Sequence, residues 1–278
     1  MKLESRGWVL DLNYPQVMGI LNVTPDSFSD GGRYSSLKNA LIHAAEMVQA
    51  GATIIDVGGE STRPGASEVT TQEELDRVIP VVESLAKNFE VWISVDTSNP
   101  EVMKASADAG AHLINDIRAL QAPNALETAA ATGLPICLMH MQGEPSTMQQ
   151  APEYHNVTLS VDAFFSHQIA RCLDAGIEKE RLLLDPGFGF GKNLAHNYQL
   201  LAQLSTFHHF GLPLLVGMSR KSMVGQLLGV GPDQRLAGSL ACAVIAAMQG
   251  AQIVRVHDVK ETVDALRVVQ ATLSAKGN

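Results

Sequence analysis

The chain has 278 residues, 46% hydrophobic and 18% charged, with a formal net charge of −9. That is enough apolar material for one large core, and no Pro/Gly/Ser-rich linker or low-complexity tract divides it, so a single domain over 1–278 is the economical expectation. The acidic balance excludes non-specific binding to nucleic acid or to an anionic membrane surface, and any phosphate-bearing ligand has to be held by a local cationic pocket.

Glu4 and Arg6 come before any apolar run, so the sequence opens without the apolar core of a signal peptide, and residence in the cytoplasm is the expectation. The first strand signal, 16–22, ends in Asn22 and enters a polar loop, where Pro25 stops regular structure and Asp30-Gly31-Gly32 frees the backbone. A helical pattern follows from Leu37 to Val48. The second strand, 53–57, leads into Gly58-Gly59-Glu60-Ser61-Thr62-Arg63-Pro64-Gly65-Ala66, a loop too rich in Gly and Pro to be regular, with Arg63 at its centre. A guanidinium there suits an anionic ligand, gripping phosphate oxygens in pairs as the loop closes; a solvated surface arginine explains it equally well.

After a helical pattern from Glu73 to Leu85, strand signals recur at 91–96, 112–116 and 135–140, and a further helix is predicted over Val157 to Leu173. The strand at 182–185 opens Asp185-Pro186-Gly187-Phe188-Gly189-Phe190-Gly191-Lys192. The Walker pattern needs Gly where Pro186 stands, and the dinucleotide fingerprint needs Gly in place of Lys192, so neither applies. The loop reads instead as a carboxylate at a strand end followed by glycines that let Phe190 lie flat against a ring. Asp185 suits two hydrogen bonds from an amino-imino edge such as that of a pterin or guanine.

The strand at 213–217 precedes Ser219-Arg220-Lys221-Ser222 and a short helix from Met223 to Leu228, whose start, with Ser219 and Ser222 as extra donors, suits a carboxylate or phosphate. The serines alone read equally as caps; Lys221 brings a charge that asks for a partner. The uncharged stretch from Leu236 to Val254 is interrupted by Gly238, Ser239, Gln249, Gly250 and Gln252, and reads as a core helix feeding the strand at 252–256 rather than as a membrane span. Alternation sends Arg255 and His257 to one side, two cations suited to a diphosphate, before a last helical pattern from Val259 to Leu273.

Eight strand signals separated by helical ones predict a (β/α)8 TIM barrel of the α/β class. Most strands end in a hydrogen-bonding or ionisable side chain: Asn22, Asp56, Asp96, Asn115, His140, Asp185, Ser219 and His257. Together these form a ring at the C-terminal rim, where barrels of this type place their chemistry. Within it, Asp56 and His140 are read as caps or turn formers. Cys137, Cys172 and Cys242 lack the spacing of a zinc site or disulfide framework and read as buried thiols, while Met139 reads as core or as the flank of an aromatic ligand. No HExxH, nucleophile elbow or EF-hand loop occurs.

Asn22-Val23-Thr24-Pro25-Asp26-Ser27-Phe28-Ser29-Asp30-Gly31, Gly58 to Gly65, Asp185 to Lys192, Ser219 to Ser222 and Arg255-Val256-His257-Asp258 together resemble, in order and over nearly the whole chain, the signatures of bacterial dihydropteroate synthases. The resemblance implies condensation of 6-hydroxymethyl-7,8-dihydropterin diphosphate with 4-aminobenzoate in folate biosynthesis, with magnesium, inhibition by sulfonamides and a homodimer, for which the poorly charged seventh or eighth helix is a candidate interface. It implies pterin recognition by Asp96, Asn115, Asp185 and Lys221. Diphosphate would be held by Asn22, Arg63, Arg255 and His257, with Asn22 toward the magnesium, and 4-aminobenzoate by Phe28, Thr62, Pro64, Phe190, Ser219 and Ser222. The reacting centre would be served by Asp96, Lys221, Arg63 and Arg255. A corrinoid-dependent methyltransferase barrel and a non-catalytic pterin binder are the other readings, and release of diphosphate separates them from the first.

Overall fold

The computed structural model describes residues 1–24, 32–60, 69–143, 148 and 152–275, with the side chains of 32–35 left aside. Two short strands, β1 (Lys2–Ser5) and β2 (Trp8–Asp11), precede eight others: β3 (Gln16–Asn22), β4 (Ile54–Gly58), β5 (Trp92–Asp96), β6 (Leu113–Asp116), β7 (Ile136–Met139), β8 (Leu182–Asp185), β9 (Leu215–Val216) and β10 (Ile253–Val256). The helices are α1 (Gly32–Gln49), α2 (Thr71–Asn88), α3 (Pro100–Ala109), α4 (Ala125–Thr132), α5 (Val157–Asp174), α6 (Leu194–Ala202), α7 (Ser222–Leu228), α8 (Leu236–Met248) and α9 (Val259–Ala275). The eight later strands are all parallel, in the order β8-β7-β6-β5-β4-β3-β10-β9. A parallel bridge between Leu184 and Leu214 brings the two ends of that order together, which makes the sheet the (β/α)8 barrel read from the sequence.

Local signals account for most of the element ends. Thr70 and Glu73 form a reciprocal capping box at the start of α2, and Asn193 with His196 does the same for α6. Asn99 caps α3 with Pro100 in the first helical position, and Gly110 ends it at φ 112°. The strand expected over 213–217 is only two residues long, because Pro213 has no N–H and contributes through its carbonyl, which accepts from the Leu184 amide at 2.9 Å.

Strand alternation divides the core in two. Residues such as Ile55, Val57, Ile93, Val95, Leu138 and Leu184 face the helices, in one large cluster. The opposite face looks into the barrel, and at its N-terminal end every strand gives one residue to a second cluster: Met18, Ile54, Trp92, Leu113, Cys137, Leu183, Leu215 and Ile253. The β1/β2 hairpin closes this end by adding Leu3, Leu10 and Leu12. Full burial of each such side chain is worth about 1.5–3 kcal/mol. The hairpin is absent from the sequence reading; its signal is Arg6-Gly7, both at positive φ (53° and 80°), the backbone of a two-residue type I′ turn.

Candidate active site

Two residues above the apolar layer the inward-facing positions turn polar. Asp56, Ser94, Asn115, Asp185 and Arg255 follow Ile54, Trp92, Leu113, Leu183 and Ile253 on the same face of β4, β5, β6, β8 and β10. One step higher, at the rim, stand Asn22 and Asp96, with His257 just beyond β10. The same alternation that makes a packed floor therefore makes a charged mouth.

Arg255 is the hub of this mouth. Its Nε donates to Asp56 Oδ2 at 2.6 Å and its Nη2 to Asp96 Oδ2 at 2.9 Å. Asp56 is fully buried and also accepts from Ser94 Oγ at 2.5 Å and Asn115 Nδ2 at 3.2 Å. Burial by itself would lower the affinity of Arg255 for its proton, but the Asp56 and Asp96 carboxylates outweigh it and hold the guanidinium above the usual arginine range. Burial pushes Asp96 above the usual carboxylate range, against the pull of Arg255 and with the help of Asp56.

The loop after β8 builds the opposite wall. Asp185 Oδ1 accepts from the Gly187 amide at 2.7 Å, and burial raises its pKa while Lys221 opposes. Lys221 donates to the Phe188 carbonyl and places Nζ 4.6 Å from the centroid of the Phe190 ring, so one face of that ring meets a cation. Burial lowers Lys221 to about 8, with Asp185 resisting. The loop is pinned from beneath by Lys192, a residue the sequence reading used only to dismiss nucleotide fingerprints. Its buried Nζ donates to the carbonyls of Gly187 (2.9 Å) and Phe190 (3.0 Å) and lies 2.9 Å from His140 Nδ1.

Ser219 and His257 form one unit: Ser219 Oγ accepts from the His257 amide at 3.1 Å and lies 3.0 Å from its Nδ1. Arg220, at φ 57°, turns away to a two-point ion pair with Asp258, which leaves Lys221 facing the mouth. Ser222 is the exposed first residue of α7. Asn22 Oδ1 and Asp96 Oδ2 both border Gly58, 3.7 and 3.9 Å from where a Cβ would stand. Among the described residues, no group of three or more His, Cys, Asp or Glu side chains could hold a metal. A magnesium ion would therefore take most of its ligands from substrate oxygens and water, and Asn22, a neutral hard donor at the rim, fits that arrangement.

The structure thus brings together Asn22, Asp96, Asn115, Asp185, Phe190, Ser219, Lys221, Arg255 and His257 at one mouth, with Ser222 at its edge. Phe28, Thr62, Arg63 and Pro64 lie outside the described residues. Two expectations are corrected. Asp56 is neither a cap nor a turn former: it lies inside β4, one layer below the rim, at the centre of the charge network. His140 follows the inward Met139, so alternation turns it out of the mouth, where it meets Lys192 and stacks edge-on against Phe164 at 4.9 Å. Cys137, Cys172 and Cys242 are buried free thiols, and Met139 is buried.

A parallel barrel whose open end carries an acceptor wall, paired cations and an aromatic face defines a pterin-binding enzyme, and the family model described as "Pterin binding enzyme" matches residues 18–257. The dihydropteroate synthase of Escherichia coli (strain K12) is 72% identical over 278 residues, all of this chain and 99% of that one. The crystal structure of the Yersinia pestis dihydropteroate synthase with a sulfonamide drug complex superposes with a TM-score of 0.95 at 70% identity, over 99% of this chain and 100% of the other. That of the Xanthomonas albilineans enzyme with 4-aminobenzoic acid gives 0.92 at 49% identity, over 98% of each chain. The chain belongs to the dihydropteroate synthase family, transferases of folate biosynthesis. This membership sets aside the corrinoid-dependent methyltransferase and the non-catalytic binder.

Proposed function

We propose that the mouth binds 6-hydroxymethyl-7,8-dihydropterin diphosphate and 4-aminobenzoate and joins them into 7,8-dihydropteroate, releasing diphosphate. The observation that carries this reading is the gathering at one mouth of three acceptors that line a slot as a wall (Asp96, Asn115, Asp185), with two cations set among them (Arg255, Lys221). The wall suits the N–H groups of the pterin, with Lys221 completing the slot. Arg255 and His257, with Arg63 from the loop after β4, suit the diphosphate. Asn22 would hold a magnesium ion there, whose charge offsets that of the leaving group. Phe190, Ser219 and Ser222, with Phe28, Thr62 and Pro64, suit the 4-aminobenzoate cleft. The ligands crystallised with the Yersinia pestis and Xanthomonas albilineans enzymes support it, and sulfonamides are expected to compete there.

Diphosphate leaves before the amine attacks. The C–O bond of the exocyclic methylene breaks with its electron pair going to diphosphate, while the electron-rich dihydropterin ring delocalises the positive charge left behind. Arg255 and His257 stabilise the departing oxyanion and Asp96 the ring cation. The neutral arylamine then attacks the methylene carbon with its lone pair, forming the C–N bond, and the proton it sheds passes to the released diphosphate or to water. We place the enzyme in the cytoplasm, a compartment that suits its three buried free cysteines. No described helix is long and apolar enough to cross a membrane. Leu227 and Leu228 on α7 and Ile245 and Met248 on α8 are exposed, which favours a homodimer through one of these two helices.

Two assays test this. Purified protein with both substrates and magnesium should yield dihydropteroate, identified by mass, with one diphosphate per product. With the bridging oxygen of the diphosphate substrate labelled and 4-aminobenzoate omitted, the label should scramble into non-bridging positions. No scrambling, with a rate that tracks arylamine nucleophilicity steeply, would mean direct displacement.

A further inference from the structure

We infer that Asp56 is a positioning residue that fixes which atom Asn115 presents to the ring slot, and so sets the enzyme's preference for a ring bearing a 2-amino group. The inference rests on the pterin reading of the mouth. Asp56 is wholly buried behind the rim, and its Oδ2 accepts from the Arg255 guanidinium, which can only donate. The Asn115 atom 3.2 Å from Asp56 Oδ2 is therefore the amide nitrogen, and Asn115 keeps its carbonyl oxygen for a ligand. The same Asp56 oxygen takes Arg255 Nε, and the other takes Ser94 Oγ, so the carboxylate is fully engaged and cannot turn. Register places Asn115 beside Asp96 and Asp56 beside Ser94 on adjacent strands, which makes the arrangement a property of the barrel itself. Without Asp56, Asn115 is free to flip and offer a donor. An acceptor wall repels a ring whose 2-amino group is replaced by a carbonyl; a wall with one donor tolerates it.

The probes are 6-hydroxymethylpterin and its 2-oxo counterpart, 6-hydroxymethyllumazine, titrated against the full chain. The wild type should favour the pterin strongly. In Asp56→Ser the ratio of the two dissociation constants should fall by about tenfold or more, the effect of one mispaired buried group. Asp56→Asn should keep the ratio within about threefold, since it can set its oxygen against Asn115 and Arg255 and its amide against the Ser94 hydroxyl, which accepts as readily as it donates. In the wild-type protein labelled with 15N-asparagine, a side-chain amide proton of Asn115 should stay protected from exchange, empty or pterin-bound. An unchanged ratio in Asp56→Ser, loss of the preference in Asp56→Asn, or rapid exchange of both Asn115 protons would each overturn the role of Asp56. A wild type that binds neither probe, or both equally, would overturn the pterin reading on which it stands.

Discussion

Asp185 and Lys221 both hold the loop after β8, through Gly187 and Phe188, and each makes a measurable claim. Asp185→Asn can still accept from the Gly187 amide, but it then turns an NH2 toward the ring where an oxygen stood. Pterin affinity should drop by about 1–3 kcal/mol, roughly 5- to 150-fold, with the fold intact. An unchanged affinity in a calorimetric titration would remove Asp185 from the site. Lys221 carries a pH signature because burial lowers it to about 8. Activity that depends on its charge should decline through pH 8, and kcat/KM should follow one apparent ionisation there. Stability should move the other way: the unfolded chain keeps this proton to about pH 10.4. The cost of burying the ammonium is thus full below about 8 and disappears as the pH rises from there toward the unfolded value. Melting curves of wild type and Lys221→Met should therefore converge between pH 8 and 10.

Elements matter here through the loops they anchor. A Cβ on Gly187 would stand 1.8 Å from the His140 carbonyl oxygen, at a φ of +70° that favours glycine. Gly187→Ala should cost about 3 kcal/mol or more of stability and displace Phe190 and Asp185 together, measurable by denaturant unfolding and by loss of pterin binding. On the other side, Glu74 of α2 is buried beneath Gly59, its Oε1 without a hydrogen-bond partner among the described residues, and burial raises it to about 7. Its folded value lies above its unfolded one, so stability is full below about pH 4.3 and is lost as the pH rises through 7. Glu74→Gln should match wild type near pH 4.5 and surpass it at pH 8 in thermal melts. The sequence makes the elements legible because each strand is a short apolar run and each rim residue breaks it. It hides Asp56, which lies inside its run with apolar neighbours on both sides, and Lys192, whose three carbonyl partners come together only in the folded loop. The β1/β2 hairpin escapes because β1 carries no apolar run, with Lys2, Glu4 and Ser5 around Leu3, and β2 buries Leu10 alone.

Across the whole molecule, the barrel keeps its two ends apart in kind: apolar side chains from all eight strands at one, charges at the other. Stability and chemistry should therefore separate under mutation. Leu3→Ala or Leu10→Ala at the closed end should cost about 2–5 kcal/mol. KM for both substrates should stay within about twofold, because that face of a barrel serves stability rather than chemistry. A comparable rise in KM in steady-state assays would show that the hairpin is coupled to the mouth.

The hairpin's position also decides what light can see. The chain has two tryptophans, and both belong to the closed end: Trp8 on β2 and Trp92 in the apolar layer, with His112 between them at ring-centroid distances of 5.0 and 5.5 Å. Intrinsic emission excited at the red edge of the protein band reports undocking of the hairpin rather than contact at the mouth. A binding titration would change that emission only through space, by energy transfer to a ligand about 13 Å up β5, whereas the same signal in denaturant would register the first loosening of the barrel's floor.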